Sequence, residues 1–321
     1  MNELVYMISD KKNPASDYLQ EAGFNVVIKA LPIDEELLSQ AYALVPGFIN
    51  INEEILQKAK NLKIISKFGV GMDRIDIPAC TRHHVAACNT PLSNYISVAE
   101  HTLALILGAA KKLYPISINL HKTDPDWAKS RYSAIELYGK TISIIGFGNI
   151  GKRVARLLSG FDMNIIAYDP YGDENNVPEY VEFTRDLDYA LKQADFVTIH
   201  ASGDSAHHLI GEKQLSLMKQ EAILINTTRG HVIDEEALIK ALKEKRIAGA
   251  ALDVFAKEPI EAGNELLEME NVLVTPHNAA HTPEASMRSQ YEVAQNIIDF
   301  RDSGTIPKTA LNRKELLQAD N

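Results

Sequence analysis

Short apolar runs of strand length recur along this chain, each followed by a stretch whose apolar positions fall at helical spacing. In the first third the runs lie at residues 4–8, 26–28, 42–45, 63–66 and 85–87. Between the first two, Asn13-Pro14 reads as a helix cap followed by proline in the first turn, and Gly23 closes that helix. Further short helices are predicted to begin near Asp34, Asn52 and Pro78. Strands alternating with helices in this way predict a small doubly wound α/β domain with a parallel sheet.

A longer apolar helix is predicted over 96–113, ending before Pro115, as a bridge to a second domain. Residues 119–137, with the only tryptophan, Trp127, read as loop and connection. Strand runs then resume at 141–145, 164–168, 181–183, 195–199, 221–225, 248–252 and 272–275. A last helix, 283–300, places Met287, Tyr291, Ala294 and Ile298 on one face, and residues 305–321 form a closing tail. The expected fold class is α/β, with two doubly wound parallel-sheet domains. Residues 1–97 and 288–321 form the first, and 98–287 the second.

The stretch 141–169 is the most specific. Gly146, Gly148 and Gly151 stand in G-x-G-x-x-G spacing at the end of a predicted strand and the start of a helix. Ile150, Val154, Leu157 and Leu158 carry the helix, Gly160 sits where it would stop, and a second strand ends on Asp169. This context makes the glycines a dinucleotide fingerprint. Gly146 permits the tight turn, Gly148 lets the backbone approach a pyrophosphate, and Gly151 lets helix and sheet pack closely. Unpaired amides near Asn149 and Ile150 face the phosphates. Asp169 suits a ribose 2′-hydroxyl and repels a 2′-phosphate, and Tyr171 rather than arginine follows, so NAD is expected over NADP.

Composition narrows the class. A net charge of −10 argues against nucleic acid as a partner. Cys80 and Cys88, the only cysteines, are too few for a disulfide framework or a cysteine zinc site. No apolar run reaches the length of a membrane span or a signal-peptide core, so no membrane association and a cytoplasmic location are expected. The pairs His83-His84 and His207-His208 lack partners at ligand spacing, and no metal site is expected. His101, on the bridge helix, reads as a packing or interfacial residue.

Polar residues gather after the predicted strands of the second domain: Asp169, His200, Arg229, Asp253 and His277. In open parallel sheets ligands bind at those ends. Arg229 suits a carboxylate and an adjacent carbonyl, His277 suits proton exchange in an alcohol–ketone interconversion, and Glu258 suits orienting that imidazole. Each also has a plainer reading: a surface ion pair, a structural histidine, a solvated loop acid.

Together these motifs resemble the D-isomer-specific 2-hydroxyacid dehydrogenases, in the branch of the D-3-phosphoglycerate dehydrogenases. The resemblance runs over about residues 61–280. It is clearest at 67–73 (around Gly69-Val70-Gly71), 93–100 (around Asn94), the glycine loop, 225–234, 251–255 and 275–277. It implies a flavodoxin-like substrate domain and a Rossmann NAD domain, closing on each other to exclude water, in a homodimer. By it, Arg229 binds the carboxylate and reacting oxygen of a small 2-hydroxy or 2-keto acid, His277 exchanges the proton, and Glu258 raises the basicity of His277. Val70, Gly71 and Asn94 bind substrate. Thr227, Thr228, Asp253, Ala279 and Ala280 lie on the nicotinamide side of NAD, and His200 and Ala201 on the adenosine side.

Two departures bear on substrate. The loop at 45–50, where phosphoglycerate dehydrogenases often carry phosphate-binding arginines, has no basic residue, leaving Lys67 and Arg74 as substitutes or as solvated side chains. Ala201-Ser202-Gly203 replaces a segment where relatives usually have proline. D-3-Phosphoglycerate oxidation is the leading expectation and hydroxypyruvate or glyoxylate reduction its rival, with an NAD-sensing co-repressor as the non-enzymatic alternative. Nothing of domain size follows residue 305, so feedback through an appended regulatory domain is not expected.

Overall fold

The computed structural model describes residues 2–121, 133–201 and 206–319, so Trp127, Ser202 and Gly203 lie outside the described residues. The chain divides into two compact units, Met1–Asn94 with His281–Asn321, and Tyr95–Ala280.

In the first unit β1 (Leu4–Ile8), β2 (Asn25–Lys29), β3 (Ala43–Val45), β4 (Ile64–Ser66) and β5 (Ala86–Cys88) form a sheet in the order β2-β1-β3-β4-β5. Every pairing is parallel. Side chains alternate between faces: Tyr6, Leu44 and Ile65 enter one core, and Val5, Met7 and Ile64 the other. Both faces are covered, which explains the unbroken apolar runs. Asn13, Asp34, Asn52 and Asp76 each accept amide hydrogens at a helix start, and such a cap contributes about 1 kcal/mol. Cys80 and Cys88 are free, and burial pushes both thiols up to about 12.

The helix Pro283–Ser303 belongs to this unit, and the face bearing Met287, Tyr291, Ala294 and Ile298 turns inward only at Ala294 and Ile298. Its buried positions include Ala285, Ser289, Val293, Asn296 and Ile297, while Met287 is 49% and Tyr291 53% exposed. Polar satisfaction decides the face. Asn296 Nδ2 donates to the Asn89 carbonyl at 3.0 Å and to Ser66 Oγ at 3.2 Å, and its Oδ1 accepts from Thr309 at 2.7 Å. The closing tail is also built in. Ala310 bridges Cys88, and the buried Asn312 amide spans Ala87 N and the Val85 carbonyl.

The second unit holds β6 (Thr141–Ile145), β7 (Asn164–Tyr168), β8 (Val181–Thr184), β9 (Phe196–Ile199), β10 (Ile223–Asn226), β11 (Gly249–Leu252) and β12 (Val272–Val274). Their order is β12-β11-β10-β9-β6-β7-β8, all parallel, so the direction of winding reverses between β6 and β9. Ligand crevices form at such switch points. Both units therefore have the expected α/β class.

Two local expectations fail. The helix predicted over 96–113 runs Tyr95–Ala110, breaks at Lys112 in the left-handed region (φ 55°), and restarts as Leu113–His121 with Pro115 in its first turn. Proline lacks the amide that the first turn leaves unpaired, so it begins this helix rather than ending the last. The helix Asn149–Leu158 is extended by a 3₁₀ turn, Ser159–Phe161, and Asp162, not Gly160, takes the left-handed conformation that ends it (φ 52°). No helix among the described residues is long and apolar enough to cross a membrane.

Candidate active site

The glycine turn after β6 has three different environments. A Cβ on Gly146 (φ 96°) would stand 2.5 Å from Ala201 N and 2.7 Å from the His200 carbonyl carbon. One on Gly151 would collide with the Gly146 carbonyl oxygen. One on Gly148 would meet nothing within 4 Å, and no side chain caps the helix Asn149–Leu158 that Gly148 opens. The protein itself thus accounts for two glycines, while the third faces open space beside uncapped amides. A diphosphate fits that combination of open space, free N–H donors and positive helix end.

Asp169, at the end of β7, is fixed by the turn. Its Oδ2 accepts from Phe147 N at 3.0 Å and its Oδ1 from Tyr171 N at 2.9 Å. The carboxylate therefore stands at the glycine loop, where a ribose would lie. Across the switch point, His200 Nε2 shares a hydrogen bond of 3.0 Å with Thr198 Oγ1. Its Nδ1 is buried with no partner among the described residues, and burial pushes the imidazole down to about 3.

After β10, Asn226 shapes the loop that carries Arg229. Its Oδ1 accepts from the amide and hydroxyl of Thr228, both at 3.0 Å, and its Nδ2 donates to the Arg229 carbonyl at 2.9 Å. Thr227 and Thr228 are buried, and Thr227 bonds Thr102 at 3.0 Å. Arg229 is half-buried and donates to the Thr228 carbonyl at 2.8 Å. Gly230 lies so close to the Phe255 carbonyl that no Cβ fits. That contact brings the arginine loop against the segment leading to Glu258.

Asp253, after β11, organises the loop after β12. It is fully buried. Its carboxylate accepts from the Thr275 hydroxyl (2.5 Å), Asn278 N (2.8 Å) and Ala279 N (2.9 Å), and its carbonyl accepts from His277 N (2.7 Å). Burial alone would raise this carboxyl; hydrogen bonds from His101, Thr275 and the two amides outweigh burial and hold it below the usual range. The clasp sets His277 in the left-handed region (φ 53°). There His277 Nδ1 meets Glu258 Oε2 at 2.6 Å, and Glu258 Oε1 accepts from Phe255 N at 3.1 Å. With Nδ1 bound to a carboxylate, the neutral ring carries its proton there and offers Nε2 as the base.

Arg229, Glu258 and His277 thus follow three adjacent strands, β10, β11 and β12, at one edge of the sheet. Ala279 is buried in the same loop, and Ala280 follows it.

In the first unit the loop after β4 is pinned at Gly69 (φ 83°), whose N–H donates to Thr90 Oγ1 at 2.7 Å and Ser289 Oγ at 3.2 Å. The Val70 carbonyl accepts from Asn89 at 2.8 Å, whereas the Val70 and Gly71 amides donate to no described residue. Asn94 Oδ1 is buried with no described partner. Arg74 donates to the Phe48 carbonyl at 3.1 Å, and Lys67 to the Phe68 carbonyl at 3.1 Å.

Sequence reasoning passed over Thr102, Thr275 and Glu235. Glu235 accepts from Ala256 N at 2.9 Å and Asn264 at 2.8 Å, bracing the segment that carries Glu258. His101, read as a packing or interfacial residue, bonds Thr275 at 3.0 Å. The available signal was a histidine and a threonine side by side on a largely apolar helix.

Comparison with known proteins adds a lineage. The profile of the D-isomer specific 2-hydroxyacid dehydrogenase NAD binding domain matches residues 103–279. A D-3-phosphoglycerate dehydrogenase of Methanocaldococcus jannaschii is 40% identical over 284 residues, 87% of this chain and 54% of that protein. A glyoxylate reductase of Thermofilum pendens is 41% identical over 271 residues, 83% of this chain and 79% of that protein. The NAD-complexed D-isomer specific 2-hydroxyacid dehydrogenase of Lactobacillus delbrueckii ssp. bulgaricus superimposes with a TM-score of 0.79. It shares 26% identity, over 96% of this chain and 100% of that one. The chain spans little more than half the length of the D-3-phosphoglycerate dehydrogenases it matches.

Proposed function

The chain belongs to the D-isomer specific 2-hydroxyacid dehydrogenases, and on that premise we propose that it catalyses hydride transfer between NAD and a small D-2-hydroxy acid. The observation that carries this reading is the 2.6 Å Glu258–His277 pair on the strand edge that also bears Arg229. The set of Arg229, Glu258 and His277 disfavours a role confined to sensing NAD.

NAD would supply the hydride acceptor or donor. Gly148, the Asn149 and Ile150 amides and Asp169 would hold its diphosphate and ribose, with Thr227, Thr228, Asp253, Ala279 and Ala280 toward the nicotinamide and His200 and Ala201 toward the adenosine. Arg229 would grip the substrate carboxylate and polarise the C2 oxygen. His277 would take the hydroxyl proton on Nε2 during oxidation and return it during reduction, Glu258 stabilising the imidazolium between. Val70 and Gly71 amides, with Asn94, would bind substrate.

The 3-phosphoglycerate and 3-phosphohydroxypyruvate pair is supported by identity to the phosphoglycerate dehydrogenases. The unphosphorylated acids, hydroxypyruvate and glyoxylate, are favoured by a specific observation. The 45–50 loop has no basic residue, and Arg74 is bonded to that loop's own Phe48 carbonyl.

NADH oxidation followed in parallel with phosphohydroxypyruvate, hydroxypyruvate, glyoxylate and pyruvate separates these. A large preference for the first supports the phosphoglycerate pair, and comparable efficiency on the others sinks it. No turnover on any 2-keto acid would sink the enzymatic reading. His277→Ala should lower kcat by about 10²–10⁴-fold, the usual worth of acid–base catalysis, with NADH affinity kept.

A further inference from the structure

Neither cofactor binding nor proton exchange, as described, uses His101. It sits on the helix Tyr95–Ala110 among the buried positions Val98, Thr102 and Leu105, with Nε2 3.0 Å from Thr275 Oγ1 and 3.5 Å from Asp253 Oδ1. Counting protons fixes the direction of these bonds. An ionised carboxylate only accepts, so the single Thr275 hydroxyl proton goes to Asp253, 2.5 Å away. Thr275 Oγ1 must then accept from His101, and Nε2 carries the hydrogen. No lysine or arginine among the described residues pairs with Asp253. A buried charge without a cationic partner depends on such donors.

The segment held by this chain of bonds includes strained backbone. His277 has φ 53°, in the left-handed region that a residue with a Cβ disfavours. Such a conformation persists only where its surroundings over-determine it. Here the surroundings are the four bonds from residues 275–279 to Asp253, and His101 orients the first of them. A relaxed backbone would carry the ring away from Glu258.

We infer that His101 is a positioning residue: by donating Nε2–H to Thr275 it locks the Asp253 clasp and holds His277 against Glu258. The inference rests on the proposed role of His277 for its kinetic consequence, but not for its structural one.

Two measurements on the full chain test it. In protein labelled with [¹⁵N]histidine, the His277 Nδ1 proton should resonate far downfield because of its short bond to Glu258, and be identified by its loss in His277→Asn. His101→Leu and Thr275→Val should lose or broaden that signal. Both should lower kcat about tenfold or more, as a misplaced catalytic group does, with KM for NADH within about twofold. His101→Gln, whose amide N–H reaches close to the Nε2 position, should restore the signal and most of kcat. The double variant His101→Leu/Thr275→Val should be no worse than either single one, since both break the same chain of bonds.

An unchanged signal and kcat in His101→Leu would overturn the inference, as would a His101→Gln protein as impaired as His101→Leu, which would mark a packing role. Should His101→Leu not fold, Thr275→Val decides, because it removes one hydroxyl and leaves His101 in place. Should the wild-type protein reduce no 2-keto acid, the enzymatic reading fails while the resonance still decides the positioning role.

Discussion

At the end of β9 the His200 imidazole bonds Thr198 through Nε2 and leaves Nδ1 buried without a described partner. Burial disfavours the charged ring and lowers its pKa from the ordinary 6.5 to about 3. In the unfolded chain the same ring binds a proton below about 6.5. Between those values the unfolded state holds more protons, so stability rises with pH and is lost as pH falls from 6.5 toward 3. Wild-type protein should therefore lose stability between pH 7 and pH 5, and His200→Gln should lose distinctly less. Urea midpoints of both proteins at the two pH values check this. Equal losses would mean that His200 is solvated in the native protein.

The turn between β6 and the helix Asn149–Leu158 makes a sharper prediction at the scale of an element. Gly151→Ala drives a Cβ into the Gly146 carbonyl and to 3.1 Å from Ile144, an overpacking that should cost about 1–3 kcal/mol. Gly148→Ala meets open space, and its φ of −76° suits any residue, so stability should stay within about 0.5 kcal/mol. Its methyl group would instead occupy the ground proposed for the diphosphate, and the Kd for NADH should rise about tenfold or more, at least about 1.4 kcal/mol. Thermal melts and NADH fluorescence titrations separate the two effects. Wild-type NADH affinity in Gly148→Ala would place the diphosphate elsewhere.

Elements written in local pattern were legible. β1 and β6 fall within their apolar runs, and Asn13, Asp34 and Asn52 cap where expected. What long-range partners decide was not legible. Helical spacing placed Met287, Tyr291, Ala294 and Ile298 on one face of Pro283–Ser303, which alone does not fix the inward side. That side is chosen by Ser289 and Asn296, whose partners at Ser66, Gly69, Asn89 and Thr309 lie far away or beyond a turn. The bond from His101 to Thr275 was not legible for the same reason, its partner being 174 residues away. The candidate site was legible as a set of strand-end residues, and the resemblance gave the roles expected of them. The clasp that sets His277 has no sequence signature, because any hydroxyl, amide or imidazole can donate to a buried carboxylate.

For the whole molecule, the two units differ in how much of the chain each needs. Residues 95–280 are continuous and cover both faces of their sheet with their own side chains. The other unit draws Val293, Ala294, Ile297, Ala310 and Leu316 from beyond residue 280 into one of its two cores. Val293, Ile297 and Leu316 alone contribute about 2 kcal/mol each on burial, together comparable with the whole stability of a small domain. Without them, Ala87 N and the Asn89 carbonyl lose partners as well. A fragment of residues 95–280 should therefore unfold cooperatively and keep NADH affinity. A fragment of residues 1–94 should show no cooperative transition in urea by circular dichroism until residues 281–321 are joined to it. Cooperative unfolding of the 1–94 fragment alone would mean that the returning helix only decorates a core already complete, and that Ser66, Asn89 and Asn296 meet for some purpose other than folding.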